Sequence, residues 1–167
     1  MKIFIGADHR GYLLKSKIVA ILEKAGHDVV DAGTHTAQQS CDYPLVAYGV
    51  ASRVSRDKNS RGILICMSGN GQVIAANKVK GAYAALCYNL ASARLCRQHN
   101  NANILVIGAM SLKAAQLKTI VTTWLATPFE GGRHLRRFKM IQKIEQGENP
   151  DTLNRKKAVD RARDCGC

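Results

Sequence analysis

Gly62-Ile63-Leu64-Ile65-Cys66, followed by Met67-Ser68-Gly69-Asn70-Gly71 and then Gln72-Val73-Ile74-Ala75-Ala76-Asn77-Lys78, decides the fold. An apolar run of strand length ends on a cysteine. A polar, glycine-rich turn follows, then an alanine-rich segment that reads as a helix. A thiol, a hydroxyl and several backbone N–H groups therefore collect at the carboxyl end of a strand and the start of a helix. In open α/β sheets this is where ligands bind. A helix N-terminus also favours anions and lowers a thiol pKa.

The same alternation runs outward in both directions. Residues 2–5, 28–31, 63–66, 82–86 and 104–107 read as strands. Between them lie helical patterns: 11–25, with Leu13, Leu14, Ile18, Ile21 and Leu22 on its apolar face; 43–57, with Asp42 as its cap; 72–78; 90–98; and 111–126, capped by Ser111. Apolar strands separated by helices imply a parallel sheet covered on both faces. The expected fold is a single-domain, Rossmann-like α/β/α sandwich. Its five-stranded parallel sheet has the order 2-1-3-4-5, and a basic C-terminal helix ends near residue 146. The switch point falls between strands 1 and 3, so Ala7-Asp8-His9-Arg10-Gly11 should face the loop 66–71. Residues 1–146 form the expected domain and 147–167 a polar extension.

The chain of 167 residues is 46% apolar, enough for one full core. The start carries no signal-peptide pattern and no segment is long enough to span a membrane, so a cytoplasmic location is expected. Six cysteines occur without a CxxC pair, so reduced thiols are expected rather than a disulfide framework. Cys165-Gly166-Cys167 reads as a loose tail and not a metal site. The net charge is +13, from 25 basic and 12 acidic residues. This fits either a nucleic-acid face or an enzyme for phosphorylated substrates. The low aromatic content, 5%, argues against a stacking platform for single strands.

The glycine loop is neither a Walker A motif nor a dinucleotide fingerprint. Asp8-His9 ends the first strand, where a histidine can act as acid, base or phosphate donor. His99 and Asn100 end the fourth helix. Arg133 and Arg137 stand one helical turn apart, a spacing suited to clamping a phosphate.

Taken together, Gly6-Ala7-Asp8-His9-Arg10-Gly11-Tyr12, Asp42-Tyr43-Pro44, Gly62 to Cys66 with Ser68-Gly69-Asn70-Gly71, Ile74-Ala75-Ala76-Asn77-Lys78, Arg97-Gln98-His99-Asn100, and Glu130 to His134 with Arg137 resemble the type B ribose-5-phosphate isomerases and the related galactose 6-phosphate and allose 6-phosphate isomerases. The resemblance covers residues 2–146. It implies aldose–ketose isomerisation of ribose 5-phosphate and ribulose 5-phosphate through a cis-enediolate, with no metal and no cofactor. It also implies a homodimer or homotetramer whose active site lies at a subunit interface. By the same resemblance Cys66 is the base, since the glutamate that serves in some relatives is replaced here by Gln72. Ser68 moves the proton between O1 and O2, and the backbone at Gly69, Asn70 and Gly71 holds the enediolate. His99 with Asp8 opens the sugar ring, and Asn100 stabilises the intermediate. His9, Arg133 and Arg137 hold the phosphate, and Tyr43 lines the pocket.

Two positions depart from the family pattern. Met67 stands where glycine is usual, and Met110 where many members have arginine. Two other readings stay open at this point: a hexose-phosphate isomerase, and a non-catalytic module of the same fold that binds anions or nucleic acid.

Overall fold

The computed structural model describes residues 1–112 and 114–152. Cys165 and Cys167, and most of the polar extension, lie outside the described residues. Residues Met1–Phe129 form one compact unit and the described residues from Glu130 onward a second.

The first unit alternates strand and helix: β1 (Lys2–Ala7), α1 (Tyr12–Lys24), β2 (Asp28–Asp31), α2 (Tyr43–Arg56), β3 (Arg61–Cys66), α3 (Asn70–Ala76), β4 (Ala84–Leu86), α4 (Leu90–Asn100), β5 (Ile104–Gly108) and α5 (Ala114–Ala126). All strand pairs are parallel. The second unit is built on α6 (Gly132–Glu145). Its C-terminal turn is closed by Gly147, at φ +76°, and by an ion pair between Lys143 and Glu148.

Strand alternation sorts the core into two layers. Ile3, Ile5, Ile63, Ile65, Leu105 and Ile107 point to one face, where α1, α4 and α5 supply Ile18, Leu22, Ala93, Cys96, Leu117, Val121 and Trp124. Phe4, Leu64, Ile104 and Val106 point to the other, where α2 and α3 supply Val46, Val50, Val54 and Ala76. The three central strands are buried along almost their whole length, which is why they read as continuous apolar runs.

The strand order is β2-β1-β3-β5-β4, so the expected 2-1-3-4-5 is corrected at its last two places. Burial explains the exchange. All five residues of β5 are buried and need neighbours on both sides, whereas β4 is three half-buried residues, suited to an edge. Placing β5 beside β3 brings Gly108 level with Cys66.

Three local expectations also change. Asp42 precedes α2 but its side chain makes no capping bond; Pro44 in the first turn presets the helix instead. Ser111 sits in the turn at 109–111, ahead of a helix that begins at Ala114. Leu13 is 70% exposed, and Lys15 takes its place on the buried stripe of α1 with Ile18 and Leu22. The Lys15 ammonium reaches both Asp31 carboxylate oxygens, at 2.8 and 2.6 Å, and the carbonyls of Gly33 and Thr34, at 3.2 and 2.6 Å. This clamp fixes the exit of β2 against α1. A buried cation with four acceptors is satisfied, which is the condition for burying it at all.

Candidate active site at the carboxyl end of the sheet

β1 and β3 are neighbours, and the chain turns from one side of the sheet to the other between them. The loops that leave their carboxyl ends therefore meet. The backbone N–H of Asp8 donates to the Ile65 carbonyl at 3.2 Å. Asp8 is buried, and its Oδ1 accepts the Gly11 N–H at 2.9 Å. Gly11 packs so closely on β3 that a Cβ there would lie 2.5 Å from the Ile65 carbonyl oxygen. This contact sets Asp8 beside Cys66.

Cys66 is 6% exposed, and its Sγ accepts the Gly69 N–H at 3.0 Å. Gly69 has φ +89°, and a side chain there would strike Leu86. Only glycine makes this turn readily, and the turn is what points the amide at the sulfur. Two influences oppose each other at the thiol. Burial pushes its pKa up, and the Asp8 charge adds to that; the amides of Gly69, Ser68 and Gln72 pull it down. Burial is the largest, and the net direction is upward from the ordinary value of 9.0. The expected net lowering by the helix N-terminus is thus corrected, because desolvation of the thiolate outweighs the donors.

The neighbouring loop after β5 is tied to the same place. The amides of Ala109 and Met110 donate to the carbonyls of Cys66 and Met67, at 2.8 and 3.1 Å. A Cβ on Gly108 would lie 2.5 Å from the Ser68 oxygen. Met67 and Met110 are therefore backbone partners, and both side chains are exposed, as is Ser68. Asn70 and Gly71 open α3, and first-turn amides have no acceptor within their own helix. The Tyr43 ring, from the start of α2, covers Gly71: a Cβ there would lie 2.6 Å from two ring carbons. His9 is half-buried, and its Nδ1 accepts the Cys41 N–H at 3.4 Å.

Asp8, His9, Tyr43, Cys66, Ser68, Gly69, Asn70 and Gly71 thus share one end of the sheet. His99 and Asn100 do not join them. They end α4, which descends from the carboxyl end of β4 to the amino end of β5. Asn103, just beyond, accepts the Gly62 N–H through its carbonyl at 2.9 Å, at the opposite end of β3 from Cys66. Arg97 lies close enough to Arg61, the first residue of β3, to feel its charge. A strand of this length separates the two ends by roughly 15–20 Å.

Arg97 is itself structural. It is buried and donates to the carbonyls of Ala102 and Thr127 and to Asn101 Oδ1. Burial, followed by the Arg61 charge, lowers its pKa to about 10. In the second unit, Arg133 and Arg137 are exposed on α6, four residues apart. Arg133 Nε donates to His134 Nε2 at 3.4 Å, and His134 lies 3.6 Å from Glu130.

The burial of Lys15 and Gln72, among other polar residues, escaped the sequence reading. Lys15 is detectable in principle, because it lies three and seven residues before Ile18 and Leu22 on one helical stripe. Gln72 is fully buried in α3, and its Nε2 and Oε1 have no hydrogen-bond partner in the described structure. Its polar type gives no sign of that burial.

The family model described as Ribose/Galactose Isomerase matches residues 3–141. Ribose-5-phosphate isomerase B of Escherichia coli is 44% identical over 148 residues, covering 89% of this chain and 99% of that protein. The solved structure of ribose-5-phosphate isomerase B from Clostridium thermocellum is 47% identical with a TM-score of 0.85, covering 88% of this chain and 99% of that one. That of the Mycoplasma genitalium enzyme, with bound ribulose-5-phosphate, is 41% identical with a TM-score of 0.84, covering 87% and 96%.

Proposed function

The chain belongs to the ribose/galactose isomerase family, and from that premise we propose that it interconverts ribose 5-phosphate and ribulose 5-phosphate, with Cys66 as the base. The observation that carries this reading is the Cys66 thiol at the carboxyl end of β3, beside Asp8 and under the Gly69 amide. The Mycoplasma genitalium relative, named as holding ribulose-5-phosphate, supports the pentose as substrate.

Isomerisation moves a proton between C2 and C1 of the open-chain sugar. The thiolate of Cys66 removes it, and the electron pair flows onto the carbonyl oxygen to give a cis-enediolate. The amides of Asn70 and Gly71 hold the developing negative charge. Ser68 carries the proton between O1 and O2, and the protonated thiol returns its proton to the other carbon. Burial that raises the thiol pKa leaves less thiolate at neutral pH but makes each thiolate a stronger base. His9, Arg133 and Arg137 bind the phosphate, and Tyr43 closes the pocket wall.

Ring opening needs an acid and a base near the sugar. Asp8 stands at the Cys66 end, and His99 and Asn100 at the other end of the sheet. The reading therefore pairs Asp8 of one chain with His99 of the partner subunit in a homodimer, each site drawing on both chains.

The test uses two inactive variants. Cys66→Ala and His99→Ala are unfolded together, refolded and assayed with ribose 5-phosphate. Random pairing makes half the dimers mixed, and each mixed dimer holds one intact site, so about a quarter of wild-type activity returns. No recovery places both residues in one chain and overturns the shared site. Wild-type turnover of allose 6-phosphate or galactose 6-phosphate but not of the pentose moves the substrate to a hexose phosphate. Tight, steeply salt-dependent nucleic-acid binding without any turnover restores the binding-module reading.

A pH profile follows from the same thiol. Activity needs the deprotonated sulfur, whose fraction grows with pH. The wild-type kcat/KM for ribose 5-phosphate rises with pH, and its midpoint lies above the ordinary thiol value of 9.0. A midpoint well below that value removes Cys66 as the titrating base.

A further inference from the structure

We infer that Cys87 and Cys96 are an oxidant-sensitive dithiol: a hydroperoxide joins them in a disulfide, and the closed pair lowers turnover by shifting α4. The second half rests on the reading that His99 and Asn100, at the end of that helix, act on the sugar.

The two sulfurs already touch. Their Sγ atoms are 3.6 Å apart in the core, while Cys66 and Cys41 are not their partners. A disulfide bond is about 2.05 Å long, so closure draws the sulfurs together by roughly 1.5 Å. The two anchors are unequal. Cys87 is held by its backbone N–H on the Val106 carbonyl at 2.9 Å, which ties it to the central sheet. Cys96 sits on α4, whose first turn is fixed by the reciprocal Asn89–Ser92 capping box. Arg97 ties the far end of α4 to the Ala102 and Thr127 carbonyls, so drawing Cys96 toward Cys87 strains that anchor, and His99 lies one turn past Cys96.

The chemistry favours attack through Cys96. It is 8% exposed whereas Cys87 is fully buried, so a small peroxide reaches Cys96 first. The contact with the Cys87 sulfur, and after it the Arg97 charge, hold the Cys96 thiol below its ordinary pKa against the opposing effect of burial. The same contact, together with burial, holds the Cys87 thiol up. The Cys96 thiolate attacks one peroxide oxygen; an S–O bond forms, the O–O bond breaks, and the hydroxide released takes a proton to become water. The Cys87 sulfur then attacks the Cys96 sulfenic sulfur. The S–S bond forms, the S–O bond breaks, and the hydroxyl leaves with the Cys87 proton as a second water. Two thiols are oxidised and one hydrogen peroxide is reduced.

The full-length protein is treated with hydrogen peroxide while saturated with ribose 5-phosphate, which shields Cys66. Free thiols are then alkylated. Trypsin cuts after Arg94, between the two cysteines, so the disulfide joins two peptides that are otherwise separate. The expected result is that linked pair, formed equally in Cys66→Ala. It is accompanied by a kcat loss on the order of a hundredfold, as expected for a displacement of about 1 Å in an active-site group, and dithiothreitol reverses both. Cys87→Ala, which leaves basal turnover unchanged, shows neither. No linked peptide overturns the proposal. A linked peptide with unchanged kcat overturns the coupling to α4. A chain without isomerase activity fails the functional reading instead, and the peptide map, which needs no turnover, still reports on the pair.

Discussion

Cys66→Ala loses at least about a thousandfold in kcat/KM on ribose 5-phosphate, the scale of a positioned general base, while the protein stays folded. The side chain is small and stands at the end of β3, so little packing is lost with it. Its removal leaves the Gly69 N–H without the sulfur that accepts it, at a stability cost of about 1 kcal/mol. The thermal midpoint therefore falls by only a few degrees. Cys66→Ser keeps the hydrogen bond and still fails, because a hydroxyl is a far weaker acid than a thiol and supplies almost no conjugate base. Steady-state turnover beside a melting curve separates the two effects. Wild-type-like turnover in a folded Cys66→Ala protein removes the sulfur from the reaction.

Gly11→Ala is expected to be strongly destabilising although it adds a single methyl group. Gly11 has ordinary helical backbone angles, so the difficulty is space and not conformation. The new Cβ would lie 2.5 Å from the Ile65 carbonyl oxygen and 2.7 Å from its carbon. Neither can swing aside, because that carbonyl is part of β3 and also accepts the Asp8 N–H. Relief must separate α1 from the sheet. The loss is about 3 kcal/mol, at the upper end for overpacking, read from the urea midpoint. Turnover falls as well, since the same separation moves Asp8 away from Cys66. Gly49→Ala is the control: inside α2 its Cβ meets chiefly the flexible end of Arg53, at 3.3 Å, and helix propensity offsets the crowding. Equal stability of the two variants would show that the loop tolerates the shift.

The elements that could be read in the sequence are those whose neighbours share one period. β1, β3 and β5 are apolar on both faces, and the helices between them carry one buried stripe each, so element types and the first three sheet positions were legible. The exchange of β4 and β5 was not. It depends on which strand is long and buried enough to need two partners, and the expected strand at 82–86 is ordered as a strand only over Ala84–Leu86. At the site, the meeting of Asp8 with Cys66 followed from the switch point. The net pKa shift of Cys66 did not, because it is a balance between burial and three amides that only coordinates reveal. Lys15 was hidden by its type: a lysine on an apolar stripe reads as solvated until its four acceptors are seen to converge from the end of β2 and the turn after it.

The loop that carries Cys66 and Met67 is bonded to the next loop as one strand is bonded to another, through the amides of Ala109 and Met110. Its conformational entropy is therefore surrendered when the chain folds, and not when a sugar arrives. Those two amides should exchange with deuterium as slowly as the central sheet, though they stand outside any strand. A substrate meets a surface already in its reactive shape, so the encounter is that of a rigid mould and not of a closing hand.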